Sequence, residues 1–258
     1  GKLLSAQRIL DEPLPPIAWV VEPLIASGTR TVVFGEYGSF KSWLLLHLAL
    51  HIAAGCTWLE THTVSKARRV LYIDEECGDR ELRRRIKRLM AGESLQVGDS
   101  LQAYTMEGIR FNETGARNIL AHTITDGFDP EVIIVETLRR VMLGSENEAS
   151  DVAAFWNNIK PFVKAGKTFL ISHHMRKPRL VPGQPDSNRH RASGSHDIMA
   201  GTDGAFAIVK DGQDSIRIEH TKSRVAPESP PVGVTFLAGH GESGPVRLVP
   251  TVGTFSHL

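Results

Sequence analysis

The sequence predicts an α/β protein: a mostly parallel sheet flanked by helices, with antiparallel strands added at one edge. Short β-branched runs alternate with helical patterns between residues 30 and 171, the order that makes parallel strands with helical crossovers. These runs lack apolar–polar alternation, as expected of strands covered on both faces. Beyond residue 203 the pattern changes to short strands separated by turn signals, which reads as an antiparallel extension of the sheet rather than a separate domain.

Residues 1–28 carry Pro13, Pro15, Pro16 and Pro23 and read as an extended lead-in with little structure of its own. The first strand is expected at 30–34 (RTVVF) and the first helix at 42–54. Further strands are expected at 69–74 (RVLYID), 131–135 (EVIIV) and 167–171 (KTFLI), with helices over 79–91, 114–125 and 149–165. The helix at 79–91 places Leu82, Ile86 and Leu89 on one face, with six Lys or Arg between Arg80 and Arg88 around them. That cluster reads as a solvated helix face before it reads as a nucleic-acid patch. The stretch 175–195 (MRKPRLVPGQPDSNRHRASGS) has three prolines, two glycines, five Lys or Arg and one acid. Such a composition cannot bury a core and is expected to be mobile. The last strands are GAFAIVK, SIRIEHT, VGVTFLA and PVRLVP, the first two joined at Lys210-Asp211-Gly212.

At 258 residues the chain fits one large α/β domain or two small ones. Thirty Lys and Arg against 29 Asp and Glu leave a formal charge of +1. That excludes a globally basic DNA-coating protein and an acidic tail, though not a local basic site. Cys56 and Cys77 are too few for a disulfide framework and fit a reducing compartment. The longest apolar run, near Trp43–Ala54, is interrupted by His47 and His51 and falls short of a membrane span. With no signal-peptide pattern, a cytoplasmic location without membrane attachment is expected. Gly1-Lys2 reads as a trimmed or tagged start.

The strongest local signal is Gly35-Glu36-Tyr37-Gly38-Ser39-Phe40-Lys41-Ser42, directly after TVVF and directly before the apolar helix. A phosphate-binding loop needs inward backbone N–H groups, a helix N-terminus behind them, a Lys for the β/γ oxygens and a Ser or Thr on Mg²⁺. Gly35, Gly38, Lys41 and Ser42 fit those roles. Phe40 stands where glycine usually precedes the lysine, so a strained or adjusted backbone is expected there. The competing reading is an ordinary glycine-containing strand–helix turn.

Next, VLYIDEECG ends a strand with Asp74, Glu75 and Glu76. Carboxylates at such an end lie where α/β proteins bind ligands, and one of them can orient and deprotonate a water. EVIIVETLRR ends in Glu136 and Thr137, at the place of an acid that holds a Mg²⁺-bound water. Glu136 is one methylene longer than the usual Asp and needs a strand set slightly back. KTFLISHHMRK ends a fourth strand with His173 and His174, either a phosphate-sensing site or a satisfied histidine pair; zinc ligation is disfavoured by their adjacency.

These four segments, in this order, resemble the RecA-like ATPase core. They are most similar to the plasmid RepA-type hexameric helicases and related phage and bacterial ATPases, whose phosphate loops include the GSFKS variant. The resemblance covers roughly residues 17–225 and makes residues 29–258 a single RecA-like P-loop ATPase domain. It implies that ATP and Mg²⁺ bind at residues 35–42, that Glu76 is the catalytic carboxylate, and that Ser42 and Glu136 hold the metal, Glu136 partly through water. It places His173 at the sensing position. EHTKSR puts Lys222 and Arg224 where related ring helicases keep residues that reach a neighbour's γ-phosphate; alone, TKSR is only a basic strand end. The stretch 175–195 corresponds to the family's DNA-facing loop, with Arg176, Lys177, Arg179, Arg189 and Arg191 as phosphate contacts.

The function implied is an oligomeric ATPase acting on single-stranded DNA, a ring helicase or translocase, expected as a hexamer with replication or defence partners. A second reading is a nucleotide-gated assembly switch or loader, which the departures Phe40 and Glu136 favour through slow hydrolysis. A small-molecule kinase is disfavoured, because no segment reads as an acceptor pocket or lid.

Overall fold

The computed structural model describes residues 5–111, 113–125, 127–176, 188, 191, 196–241 and 243–251. The elements run α1 (Ala6–Asp11), β1 (Trp19–Val21), β2 (Ile25–Ala26), β3 (Arg30–Gly35), α2 (Lys41–Ala54), β4 (Val70–Asp74), α3 (Asp79–Glu93) and β5 (Leu101–Thr105). They continue with α4 (Thr114–Thr125), β6 (Val132–Glu136), α5 (Leu138–Val141), α6 (Ala149–Lys164), β7 (Thr168–His174) and α7 (His196–Ala200). The chain then forms β8 (Gly204–Lys210), β9 (Ser215–Ser223), β10 (Val232–Ala238) and β11 (Val246–Thr251).

Nine strands form one sheet in the order β11-β10-β9-β8-β3-β7-β6-β4-β5. From β8 to β5 the neighbours are parallel, and β9, β10 and β11 add antiparallel at the other edge. This is the α/β architecture expected from the sequence. Period-two alternation sends Val33, Tyr72, Ile134 and Leu170 to the face covered by α2 and α3. Val32, Phe34, Ile73, Val135 and Ile171 go to the face packed with Leu120, Leu138, Phe155, Trp156 and Ile198 of the remaining helices. Burial on both faces explains why these strands read as unbroken apolar runs. No helix among the described residues is long and apolar enough to cross a membrane.

Three departures from the sequence reading have local causes. The lead-in is not structureless, because β1 and β2 pair antiparallel and Val20, Val21, Leu24 and Ile25 join the core. Strands of two and three residues leave too short a pattern to detect. β5 was not anticipated; it is a largely exposed edge strand whose LQAYT sequence mixes polar and apolar residues. Finally, β7 runs to His174 rather than stopping at residue 171, which decides where the two histidines point.

The basic residues of α3 are mostly occupied within the chain. Arg84 and Arg85 both donate to Glu81 at 2.7 Å, Arg83 donates to Asp79 at 2.8 Å, and Arg88 Nε donates to the Gly244 carbonyl at 2.6 Å. The same helix supports the sheet extension, since Glu93 Oε1 accepts from the Leu248 N–H at 3.1 Å. Contact is close enough that a Cβ on Gly92 would stand 2.1 Å from the Val246 carbonyl oxygen. Gly92→Ala is therefore expected to force β11 off α3 and to destabilise the protein by about 1–3 kcal/mol. A urea melt with an unshifted midpoint would show that the hairpin yields without cost.

Candidate phosphate-loop site

β3 carries the chain to the C-terminal edge of the parallel sheet, and the loop at 35–42 turns there into α2. Gly35 cannot be another residue without movement, because a Cβ would stand 2.7 Å from the Ile208 carbonyl oxygen of β8. The turn is closed by Ser39, whose N–H and hydroxyl donate to the Glu36 carbonyl at 3.3 and 2.7 Å. Gly38 has φ 73°, while Tyr37 is 97% exposed.

Phe40 adopts φ 57° and ψ 17°, the left-handed conformation anticipated for a residue in a glycine position. For a bulky side chain this is an outlier, with a cost of about 1–3 kcal/mol. Its ring stacks on Phe236 of β10 at 4.3 Å between centroids and 22° between planes, a contact that offsets part of that cost. As N-cap of α2, Phe40 offers no side-chain hydrogen bond. The first-turn N–H groups therefore remain available to an anion, and the helix dipole adds to their pull.

Lys41 is 7% exposed, and its Nζ donates to the carbonyls of Gly35 at 2.9 Å and Glu36 at 2.8 Å and to Ser39 Oγ at 3.4 Å. Burial lowers its pKa, while Glu136, Glu76 and Glu36 pull it back up. The ammonium is thus folded onto the loop carbonyls, positions that phosphate oxygens can replace.

The three acids after β4 do three different things. Asp74 is buried and its Oδ1 accepts from the N–H groups of Glu76 at 2.9 Å and Cys77 at 2.8 Å, fixing the turn. Glu75 is buried and accepts from the N–H groups of Gly108 and Ile109, both at 3.0 Å, which ties in the segment after β5. Glu76 alone is exposed, held loosely by Thr137 Oγ1 at 3.3 Å and Arg140 Nε at 3.7 Å. It is the carboxylate with a free lone pair for a water.

Glu136 lies on the α2 side of the sheet and is 1% exposed. Its two oxygens accept from Ser42 Oγ and from the Tyr72 hydroxyl, each at 3.1 Å. Strand β7 separates β6 from β3, so the acid must reach across roughly 10 Å of sheet. That span gives the extra methylene a reason. Burial raises its pKa to about 7, Asp74 pushes the same way, and the hydroxyls of Ser172, Ser42 and Tyr72 oppose the rise. A hydroxyl and a carboxylate meeting here form the hard-oxygen donor set that suits Mg²⁺. A protonated carboxyl would give way to the carboxylate on binding a cation.

The remaining sequence candidates separate. His173 is fully buried, and the length of β7 turns it to the face away from α2. His174, half-buried, lies on the α2 side instead. Burial lowers its pKa, Lys41 lowers it further, and Glu76 opposes. Tyr72 and Ser172 were not singled out for the site, and only strand alternation could have found them; His174 was named with His173 and Thr137 with Glu136, without separate roles.

Lys222 and Arg224 stand at the far end of the sheet. Ser223 pairs with Gly204 and Gly204 with Thr31, so at least ~13 Å of strand separates them from their own phosphate loop. Arg224 is half-exposed, donates to the Ala200 carbonyl at 2.8 Å and faces Asp203 Oδ1 at 3.4 Å. Lys222 Nζ donates to the Met199 carbonyl. Of the basic stretch, Lys177, Arg179 and Arg189 lie outside the described residues, and Arg176 is half-buried. Arg191 was expected to face DNA but is 6% exposed, donating to Glu36 Oε1 in the phosphate loop and to Asn188 Oδ1 at 2.8 Å. Ion pairing with the loop occupies the guanidinium.

A second titratable cluster, His47, His51 and Glu93, has ligand atoms close enough for a metal. Its hydrogen bonds dictate otherwise. The Trp58 indole only donates, here to His47 Nδ1 at 2.9 Å, so the His47 proton sits on Nε2. His47 Nε2–H donates to His51 Nε2 at 3.1 Å, and His51 Nδ1–H donates to the Thr57 carbonyl at 2.8 Å. The chain is satisfied with both rings neutral, and burial lowers the His51 pKa to about 4. This is a core hydrogen-bond relay, with the nitrogen a metal would need already protonated.

A protein-family model described as an AAA domain matches residues 2–179. No curated protein matches the chain.

Proposed function

The chain belongs to the AAA domain family of P-loop ATPases, and on that premise we propose that it hydrolyses ATP as an oligomer acting on single-stranded DNA, in the manner of a RepA-type ring helicase or translocase. The observation that carries the catalytic part is the convergence of Lys41, Ser42, Glu136 and Glu76 at one edge of the parallel sheet. The triphosphate lies along residues 35–42, its charge met by the α2 N–H groups and by Lys41. Ser42 and Glu136, the latter partly through water, would hold Mg²⁺, which would supply positive charge to offset that of the phosphate oxygens. Glu76 takes a proton from a water as its oxygen attacks the γ-phosphorus. The bond to the β–γ bridging oxygen breaks, and ADP and phosphate leave. His174 stands within electrostatic reach of Lys41 and Glu76, where the charge changes in that step.

The distance of Arg224 from its own loop supports a role on a neighbour's nucleotide. An arginine supplied in trans is worth about 10³–10⁵ in rate. Arg224→Ala is expected to lose hydrolysis while keeping nucleotide binding, and full activity in an isolated monomer would overturn the trans arrangement. The DNA part is tested by ATP hydrolysis with and without single-stranded DNA, together with strand displacement.

A second reading, a nucleotide-gated switch or loader, is favoured by the Arg191–Glu36 contact, which joins the phosphate loop to the end of the basic stretch. Hydrolysis without strand displacement would decide for it.

A further inference from the structure

β4 and β6 are parallel neighbours in which Asp74 stands opposite Glu136 and Tyr72 opposite Ile134. Tyr72 and Ile134 face the core on the α2 side, and period-two alternation puts Asp74 and Glu136 on that side with them. Tyr72 and Glu136 are thus diagonal neighbours about 7–8 Å apart, a span that an aromatic and a long side chain can close. They do close it: the Tyr72 hydroxyl donates to Glu136 Oε2 at 3.1 Å, while Ser42 Oγ donates to Oε1 at 3.1 Å. We propose that Tyr72 is a positioning residue for the metal site, holding one oxygen of Glu136 so that the other faces Ser42. The proposal rests on the reading that Ser42 and Glu136 hold Mg²⁺, and deepens it by naming what fixes the acid.

The first argument is the division of the carboxylate. Mg²⁺ demands near-ideal octahedral placement of its ligands, so the carboxylate oxygen it meets must be aimed. Glutamate has one more rotatable bond than aspartate, and therefore more ways to miss. With Oε2 taken by a hydroxyl on a rigid ring, Oε1 is left toward the phosphate loop. The ring cannot follow the acid, because Tyr72 is 2% exposed and packs in one apolar cluster with Leu82 and Leu89 of α3.

The second argument is electrostatic. Asp74 is buried directly opposite Glu136 and works against its charge. A buried carboxylate beside another acid needs donors, and the phenol supplies one. The third argument is how the hydroxyl is used. Phenylalanine would fill the core equally well; what tyrosine adds is a donor. Among the described residues its one hydrogen-bond partner is Glu136. The other two tyrosines have no such role: Tyr37 is exposed, and the Tyr104 hydroxyl meets Thr123 Oγ1 at 2.9 Å.

The test compares dissociation constants for ATP with Mg²⁺ and for ATP in EDTA, by calorimetry, in wild type, Tyr72→Phe, Glu136→Ala and the double variant. The readout is the metal-dependent gain in affinity, the ratio of the two constants. Tyr72→Phe is expected to lower that gain about tenfold, the usual cost of removing a group that orients a metal ligand, and to leave metal-free binding within about twofold of wild type. In the Glu136→Ala background the same change should alter the gain by less than about twofold, because nothing remains to be oriented. A Tyr72→Phe protein with the wild-type gain overturns the proposal. So does an equal loss with and without Glu136, or a parallel loss of metal-free binding, since either marks Tyr72 as a packing residue. A wild type without a gain, or a gain that Glu136→Ala leaves intact, would instead overturn the metal reading of Glu136, so the two failures are distinct.

Discussion

Glu76→Gln is expected to lower the rate of ATP hydrolysis by about 10²–10⁴-fold, the usual contribution of a general base, while leaving MgATP affinity within a few-fold. The change removes the basic lone pair and keeps size, polarity and the hydrogen bond from Thr137. Glu76 is exposed and makes no hydrogen bond that fixes the fold, unlike Asp74, which holds the turn, and Glu75, which holds the segment after β5. Stability should therefore be unchanged, which separates a chemical role from a structural one. Asp74→Ala or Glu75→Ala should instead lower the unfolding midpoint, because each removes the acceptor of two backbone N–H groups. A Glu76→Gln protein with wild-type turnover would move the base elsewhere.

Lys41→Ala is expected to abolish measurable hydrolysis and to weaken nucleotide binding by about 10–100-fold. Charge-assisted hydrogen bonds of about 1.5–3 kcal/mol disappear at the β and γ phosphates. The apo loop also changes, since Lys41 Nζ donates to the Gly35 and Glu36 carbonyls. The Gly35 carbonyl keeps the Met175 N–H as a partner at 3.0 Å and the Glu36 carbonyl keeps the Ser39 hydroxyl at 2.7 Å, so the fold should survive. Equilibrium binding of a fluorescent ATP analogue, with an unfolding curve as control, checks both statements.

The strand ends at this site were legible in the sequence because the runs of β4, β6 and β7 give way to charged or polar residues and that of β3 stops at Gly35, where the Gly35–Ser42 pattern begins. The strain at Phe40 was equally legible, because a phosphate loop demands a backbone conformation that phenylalanine resists. What lay beyond reach has physical causes. The sequence reading ended β7 at residue 171, and only the last three residues of the strand decide which histidine faces α2. The pairing of Arg191 with Glu36 spans 155 residues and leaves no local pattern. Composition alone made that arginine a solvated charge for DNA. The separate tasks of Asp74, Glu75 and Glu76 depend on backbone N–H groups in other segments, which a run of three acids does not reveal. The β1–β2 pair escaped because its strands are two and three residues long, and prolines around it argued for extended chain.

The hydrogen-bond relay of His47 and His51 was visible only as a break in an apolar run. Its four-residue spacing on a helix would suit a metal equally well. The Trp58 donor settles the tautomer and hence the role, and that donor is brought in by the tertiary fold.

The central claim is that residues 35–42, Glu76 and Glu136 form one site that hydrolyses ATP. Phosphate release from MgATP, measured for wild type and Lys41→Ala at equal concentration with single-stranded DNA present, tests it most directly. Release by wild type and none above background from the variant is the predicted result. Equal release from both proteins, or none from wild type at any concentration that supports assembly, would contradict it.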